Sequence, residues 1–307
     1  MAKRLLTIIL IALSSLTFAQ QDEMYTQFFT NKLAINPAYA GSKETFNFLA
    51  LYRNQWVGFE GAPKTMSFSA HTPIMKNSSG IGISLLNDKI GIFKNVVMNF
   101  SYAFRVEFPF GKLSLGVSGR IQRIAVDWSQ TNPYSVNDNS IPFTANNLFL
   151  PNFGTGAYFY NDKLYLGLSV PHLLNSKYKF TDSATEIETK ANAERHYFAM
   201  AGYMFEINND FKIKPAMQYK YAKNSPMEFD FNLSLIFYNK LVIGGSIRTK
   251  DSYSGVVQFW FNDNFGIGYS HDFGYTKLAN YHYGTHEIFI SYDIAIKGLG
   301  VKNPRFF

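Results

Sequence analysis

The chain has 307 residues, 17% aromatic and 17% charged, with 30 phenylalanines and 20 tyrosines against 3 tryptophans. It has no cysteine, which excludes disulfides, thiolate chemistry and a lipidated cysteine anchor. Its formal charge of +7 includes no basic block dense enough for nucleic acid. Apart from a shorter stretch at its start, no apolar run approaches the roughly 18 residues a spanning helix needs.

Lys3 and Arg4 precede the apolar run 5–13, and Thr17-Phe18-Ala19 places small residues where a signal peptidase reads. Residues 1–19 therefore read as a secretory signal peptide cleaved after Ala19. Loss of Lys3 and Arg4 lowers the charge to +5, and the mature chain belongs outside the cytoplasm. Residues 20–44 do not alternate, and Asn36-Pro37 and Ala40-Gly41 are turn signals. Tyr25, Phe28, Phe29 and Tyr39 argue against a freely solvated leader. The segment is expected in a barrel lumen or on the periplasmic side.

From residue 45 the pattern is period two, the repeat of a strand with one apolar and one polar face. Strands are expected at 46–53, 65–71, 81–86, 96–106, 113–123, 153–159, 164–170, 197–205, 213–221 and 229–237. Four more occupy 241–296, where Ile288, Ile290, Tyr292 and Ile294 alternate with Glu287, Ser291, Asp293 and Ala295. About fourteen strands result, an even number, as bacterial membrane barrels have. The expected fold is all-β: a transmembrane antiparallel up-and-down β-barrel over 45–297, with both termini periplasmic and a periplasmic tail at 298–307.

Joint lengths support this reading. Short joints fall at 73–78, 109–111, 160–162, 207–210, 238–240 and 262–264. The alternate joints 54–64, 87–94, 127–152, 171–195 and 271–285 are longer, as expected of loops on the outer side. The charges agree as well. Lys or Arg on the lipid face near the midplane costs roughly 2–4 kcal/mol, and Arg105, Arg120, Lys214, Lys220, Asp230, Glu287 and Asp293 all fall on the other phase. Tyr52, Tyr197, Tyr221 and Tyr253, near strand ends, fit interfacial girdles.

Chemistry-bearing patterns are weak. His282, His286 and Glu287 run from a loop into a strand, not along a helix that would set both imidazoles on one side for a metal. Ser270, His271 and Asp272 are consecutive in a strand, so they point alternately to opposite faces and form no triad. Gly80-Ile81-Gly82 and Gly266-Ile267-Gly268 lack the following helix of a phosphate cradle and suit a crowded interior. No cofactor, no metal and no enzymatic activity are expected.

Asn36-Pro37-Ala38-Tyr39-Ala40-Gly41-Ser42 and the run Leu51-Tyr52-Arg53-Asn54-Gln55-Trp56-Val57-Gly58-Phe59-Glu60-Gly61-Ala62-Pro63-Lys64-Thr65 resemble the PorP/SprF family. So do Ser69-Ala70-His71-Thr72-Pro73, Asn87-Asp88-Lys89-Ile90-Gly91 and the ending Pro304-Arg305-Phe306-Phe307. The resemblance implies an outer-membrane component of the type IX secretion system that serves export or surface attachment of secreted proteins, including adhesins. The partners it implies are a secreted surface protein and other secretion components, in outer-membrane lipid.

Candidate partner contacts are Arg53, Asn54 and Trp56, at the first outer joint, and the loop aromatics Trp128, Tyr134, Phe143, Phe149 and Tyr178, residue types that anchor interfaces. The same aromatics suit packing of the loops on one another. The competing function class is a diffusion channel or small-molecule transporter.

Overall fold

A computed structural model of the protein describes residues 23–127, 146–181, 188–223 and 225–296. The expected signal peptide and C-terminal tail lie outside these residues. The strands are β1 (Thr45–Asn54), β2 (Lys64–Ile74), β3 (Ser79–Ile90), β4 (Phe93–Phe108), β5 (Gly111–Val126), β6 (Asn146–Tyr160) and β7 (Leu164–Val170). A hairpin, β8 (Ser176–Thr181) and β9 (Glu188–Ala193), stands apart from the main sheet. Then come β10 (His196–Tyr203), β11 (Phe205–Glu206), β12 (Phe211–Ala222), β13 (Glu228–Phe237), β14 (Leu241–Arg248), β15 (Ser252–Trp260), β16 (Phe265–Gly274) and β17 (Thr285–Ala295).

Setting aside β8, β9 and the two-residue β11, fourteen strands each pair antiparallel with their sequence neighbours. The ring closes where β1 meets β17, from Thr45 opposite Ala295 to Asn54 opposite His286. Closure leaves no edge, so every strand has a hydrogen-bonding neighbour on each side, the condition for crossing a bilayer.

Period-two alternation decides which face is which. On β17, Ile288, Ile290, Tyr292 and Ile294 point outward while Glu287, Ser291 and Asp293 are buried inside. Arg105, Arg120, Lys214, Lys220 and Asp230 are buried inside too. The exterior is a skin of Phe, Ile, Leu, Val and Tyr, including Phe68, Phe100, Phe104, Leu168 and Leu233. Tyr52, Tyr197, Tyr221 and Tyr253 sit on that outer face.

One end carries short turns and the other the longer loops. β1 starts and β17 finishes at the short-turn end, and the chain ahead of β1 runs back through the lumen. Glu23 therefore lies at the long-loop mouth, where Asn95 Nδ2 donates to its Oε1 at 2.9 Å.

Three boundaries differ from the sequence expectation. The joint expected at 87–94 is two residues, Gly91 and Ile92, with Gly91 at φ +55°. Asn87-Asp88-Lys89 has turn composition, yet Asp88 faces inward and accepts from Thr65 Oγ1, so the polar run is the luminal edge of a longer strand. Strand β6 starts at Asn146, inside the expected 127–152 loop. Pro151 is tolerated because β7 pairs with β6 only from Thr155, leaving one flank free there. The strand expected at 197–205 is interrupted at Met204: pairing with β12 stops at Gly202 opposite Ala216 and resumes at Phe205 opposite Ile213, and Pro215, with no N–H for the ladder, lies in the gap. On its other side Met204 N donates to Lys163 O at 2.7 Å.

Candidate functional site

Residues 23–44 occupy the lumen. They are too irregular to extend the sheet and too apolar to float free, and Tyr25, Phe28, Phe29, Leu33, Ile35, Ala38 and Tyr39 are all buried. Two short 3-10 turns, Lys32–Ala34 and Pro37–Tyr39, compact the segment. Asn36 caps the second: its Oδ1 accepts from Ala38 N at 3.0 Å, and its Nδ2 donates to Ala157 O at 3.0 Å. The wall makes room with glycine. A Cβ at Gly116 would strike the Ala38 backbone, and one at Gly156 would strike Asn36 Oδ1. The Asn-Pro-Ala-Tyr-Ala-Gly run is thus a plug shaped to a bare patch of wall.

Charged groups lock the plug at both ends. Near the long-loop mouth, Arg53 pairs with Asp272 at 2.9 Å and with Glu287 at 3.1 Å, and donates to Thr26 Oγ1 at 2.7 Å. Glu287 accepts from the backbone N–H groups of Thr26 and Gln27 at 3.0 and 2.8 Å, and Thr26 Oγ1 donates to Asp272 at 2.7 Å. Arg248 pairs with Asp230 at 2.7 Å and donates to Tyr25 O at 3.0 Å. Toward the short-turn end, Arg105 donates to Gly41 O at 2.8 Å and to Asn77 Oδ1 at 2.8 Å, while Gly41 N donates to His71 Nδ1 at 3.0 Å. Gly41 has φ +71°, a conformation that favours glycine. Glu44 closes this end by accepting from Lys112 Nζ at 2.6 Å.

Lys32 lies in the middle, its ammonium 3.8 Å from the ring centre of Tyr165, 5.2 Å from that of Tyr39 and 5.8 Å from that of Tyr158. Three ring faces surround its Nζ, which also donates to Tyr158 OH at 3.4 Å.

Above the plug, at the long-loop end, a cavity of about 620 Å³ opens between the loops and the plug's first residues. Trp56 stands at its lip with φ +48°, and its N–H donates to Thr285 Oγ1 at 3.1 Å. Asn54 ends β1 half-buried, and Arg53 is buried in the plug network. Phe149 is exposed on the outer face of β6, and Tyr178 belongs to strand β8. Trp128, Tyr134 and Phe143 lie outside the described residues. The expected contact residues thus separate: one at the cavity, one inside, others on the wall or the hairpin. The expectation missed the plug's partners. Arg53 faces Glu287 across the β1–β17 seam, a pairing visible only once the register is known.

Among the described residues the Ser270–Asp272 and His282–Glu287 stretches do not assemble into a catalytic constellation. Ser270 and Asp272 face inward and His271 outward, stacked on His286 with ring centres 4.6 Å apart. Tyr269 OH and His286 Nδ1 are 2.6 Å apart. Glu287 turns inward, away from both imidazoles. Among the described residues no group of three or more metal-ligating side chains comes together. Gly266 and Gly268 lie under the rings of Trp260 and Phe289, so these glycines accommodate aromatic packing.

A ring of fourteen strands with a lipid-matched skin and a charged, occupied lumen defines an outer-membrane β-barrel. The architecture is that of the porin-like barrels. Its sequence matches, over residues 17–292, the family described as type IX secretion system membrane protein PorP/SprF, and the chain belongs to that family. The family is one of non-enzymatic secretion-system membrane proteins. No curated protein matches the chain.

Among solved structures it is similar to the CymD monoaromatic hydrocarbon channel, with a TM-score of 0.53 and 12% identity, covering 88% of this chain and 94% of that one. Omp33 of Acinetobacter baumannii gives 0.48 and 8%, covering 82% and 100%. A FadL homologue of Pseudomonas aeruginosa gives 0.45 and 12%, covering 81% and 89%. At such identities the likeness concerns the barrel fold alone.

Proposed function

We propose that the protein is a docking partner for export or cell-surface attachment of secreted proteins such as adhesins. In this reading its long-loop end faces the cell exterior and its short-turn end meets secretion components in the periplasm. The observation that carries the reading is the filled lumen in a chain of this family: residues 23–44 span the interior from one end to the other and are tied to the wall at both. So many fixed contacts across the pore oppose free diffusion of solutes through it. Docking needs a rigid ring that presents loops, and the plug supplies that rigidity.

Deletion of the protein, followed by comparison of the surface and medium proteomes, tests the reading. One or a few large proteins should leave the surface while solute uptake stays unchanged. An unaltered surface profile with altered uptake would reverse it in favour of a channel.

A further inference from the structure

The cavity at the long-loop mouth holds two charged groups of opposite sign that the plug network does not satisfy. Arg120, on the luminal face of β5, is 8% exposed and lines the cavity, yet has no hydrogen bond or ion pair among the described residues. Its neighbours are occupied elsewhere. Asn99 Nδ2 donates to Ser84 at 3.0 Å, Gln122 Nε2 to Asn95 at 2.9 Å, and Asn152 Nδ2 to Leu174 O at 2.8 Å. Glu228, at the start of β13 on the same cavity, has a buried Oε2 without a hydrogen-bond partner, and its Oε1 lies 3.8 Å from Arg248 Nε. Arg248 is itself committed to Asp230 and the plug.

A buried guanidinium left to cavity water gives up the bidentate partner its geometry suits best, a carboxylate. A buried carboxylate oxygen without a donor is likewise under-satisfied. The volume falls within the range of pockets that hold ligands.

We propose that this cavity is a binding site for a peptide segment of a protein partner, which presents a carboxylate to Arg120 and a basic side chain to Glu228. The segment is mixed in charge, because the cavity wall also carries Glu23, Asp88 and Asp251 and would repel a run of acids. The carboxylate comes from a chain end or from an Asp or Glu side chain. The site gives the docking reading a location and rests on that reading.

The test uses the purified full-length protein in detergent and fluorescein-labelled, lysine-containing decapeptides read by anisotropy. One peptide has a free C-terminal carboxylate, one is amidated, and one is amidated with an internal aspartate. The carboxylate-bearing peptides should bind at least tenfold more tightly than the plain amide. Whichever of the two binds tighter identifies the carboxylate's source. Arg120→Met should remove the preference, and Arg120→Lys should keep part of it. A further peptide with glutamine in place of lysine should bind more weakly, and Glu228→Gln should remove that difference. Retained heat-modifiable migration shows that each variant is folded.

Equal binding of all three peptides by the unmutated protein overturns the proposal without any variant. So does a preference that survives in folded Arg120→Met. In the deletion strain complemented with Arg120→Met, lost peptide binding beside a normal surface proteome leaves the site standing and removes the secretion reading instead.

Discussion

Removing Arg53 should release the plug. Its guanidinium serves Asp272, Glu287 and Thr26 at once, and all three partners are buried. Arg53→Met preserves most of the volume but leaves two neighbouring carboxylates inside the barrel without that counter-charge. Breaking a buried pair from one side costs roughly 3–5 kcal/mol, so the population with the plug unseated should rise roughly a hundredfold to a few thousandfold.

The absence of native cysteine makes this measurable, because one introduced thiol is a unique reporter. Asn31, 1% exposed on the plug, is the position to use: in an Asn31→Cys background, maleimide labelling should accelerate with the unseated population when Arg53→Met is added. Adding Asp272→Asn and Glu287→Gln should return most of the protection, since the orphaned charges are then gone. An unchanged labelling rate in Arg53→Met would refute the role given to this network.

Gly156→Val should prevent Asn36 from seating, with overpacking of at least about 1–3 kcal/mol. Heat-modified migration should then shift to lower temperature, and conductance in planar bilayers should appear where the parent has little. Lys32→Met should leave the unfolding free energy in urea within about 1 kcal/mol of the parent, because the lost ring contacts are offset by no longer burying the amine. Lys32→Glu should lower the midpoint sharply by turning a carboxylate onto three aromatic faces. On the outer wall, Ile290→Arg should cost roughly 2–4 kcal/mol in liposome unfolding.

Much of the barrel was legible because membrane and lumen impose opposite chemistry on alternate residues. Glu287, Ser291 and Asp293 against Ile288, Ile290 and Tyr292 settle a strand and its orientation together. Asn87-Asp88-Lys89 and Asn152 misled for one shared reason. Turn-forming residues also suit a wet interior, and only the neighbouring strand decides between the two uses. The plug was half legible. Its aromatics argued against solvation, but its seat depends on Gly116 and Gly156, more than seventy residues away in the chain. The mouth cavity was not legible at all, because Arg120 reads simply as one more inward-facing charge until its neighbours prove to be engaged elsewhere.

Residues 23–44 run the full height of the barrel, and β1 pairs with β17, the last of the described strands. The leader therefore either is wrapped as the wall curls or enters the closed ring end-first. A bulky domain fused ahead of Glu23 would have to reach the far mouth before the ring shut, whereas one fused after β17 would hang clear of the closure. Assembly of this molecule is a threading problem as much as an insertion problem.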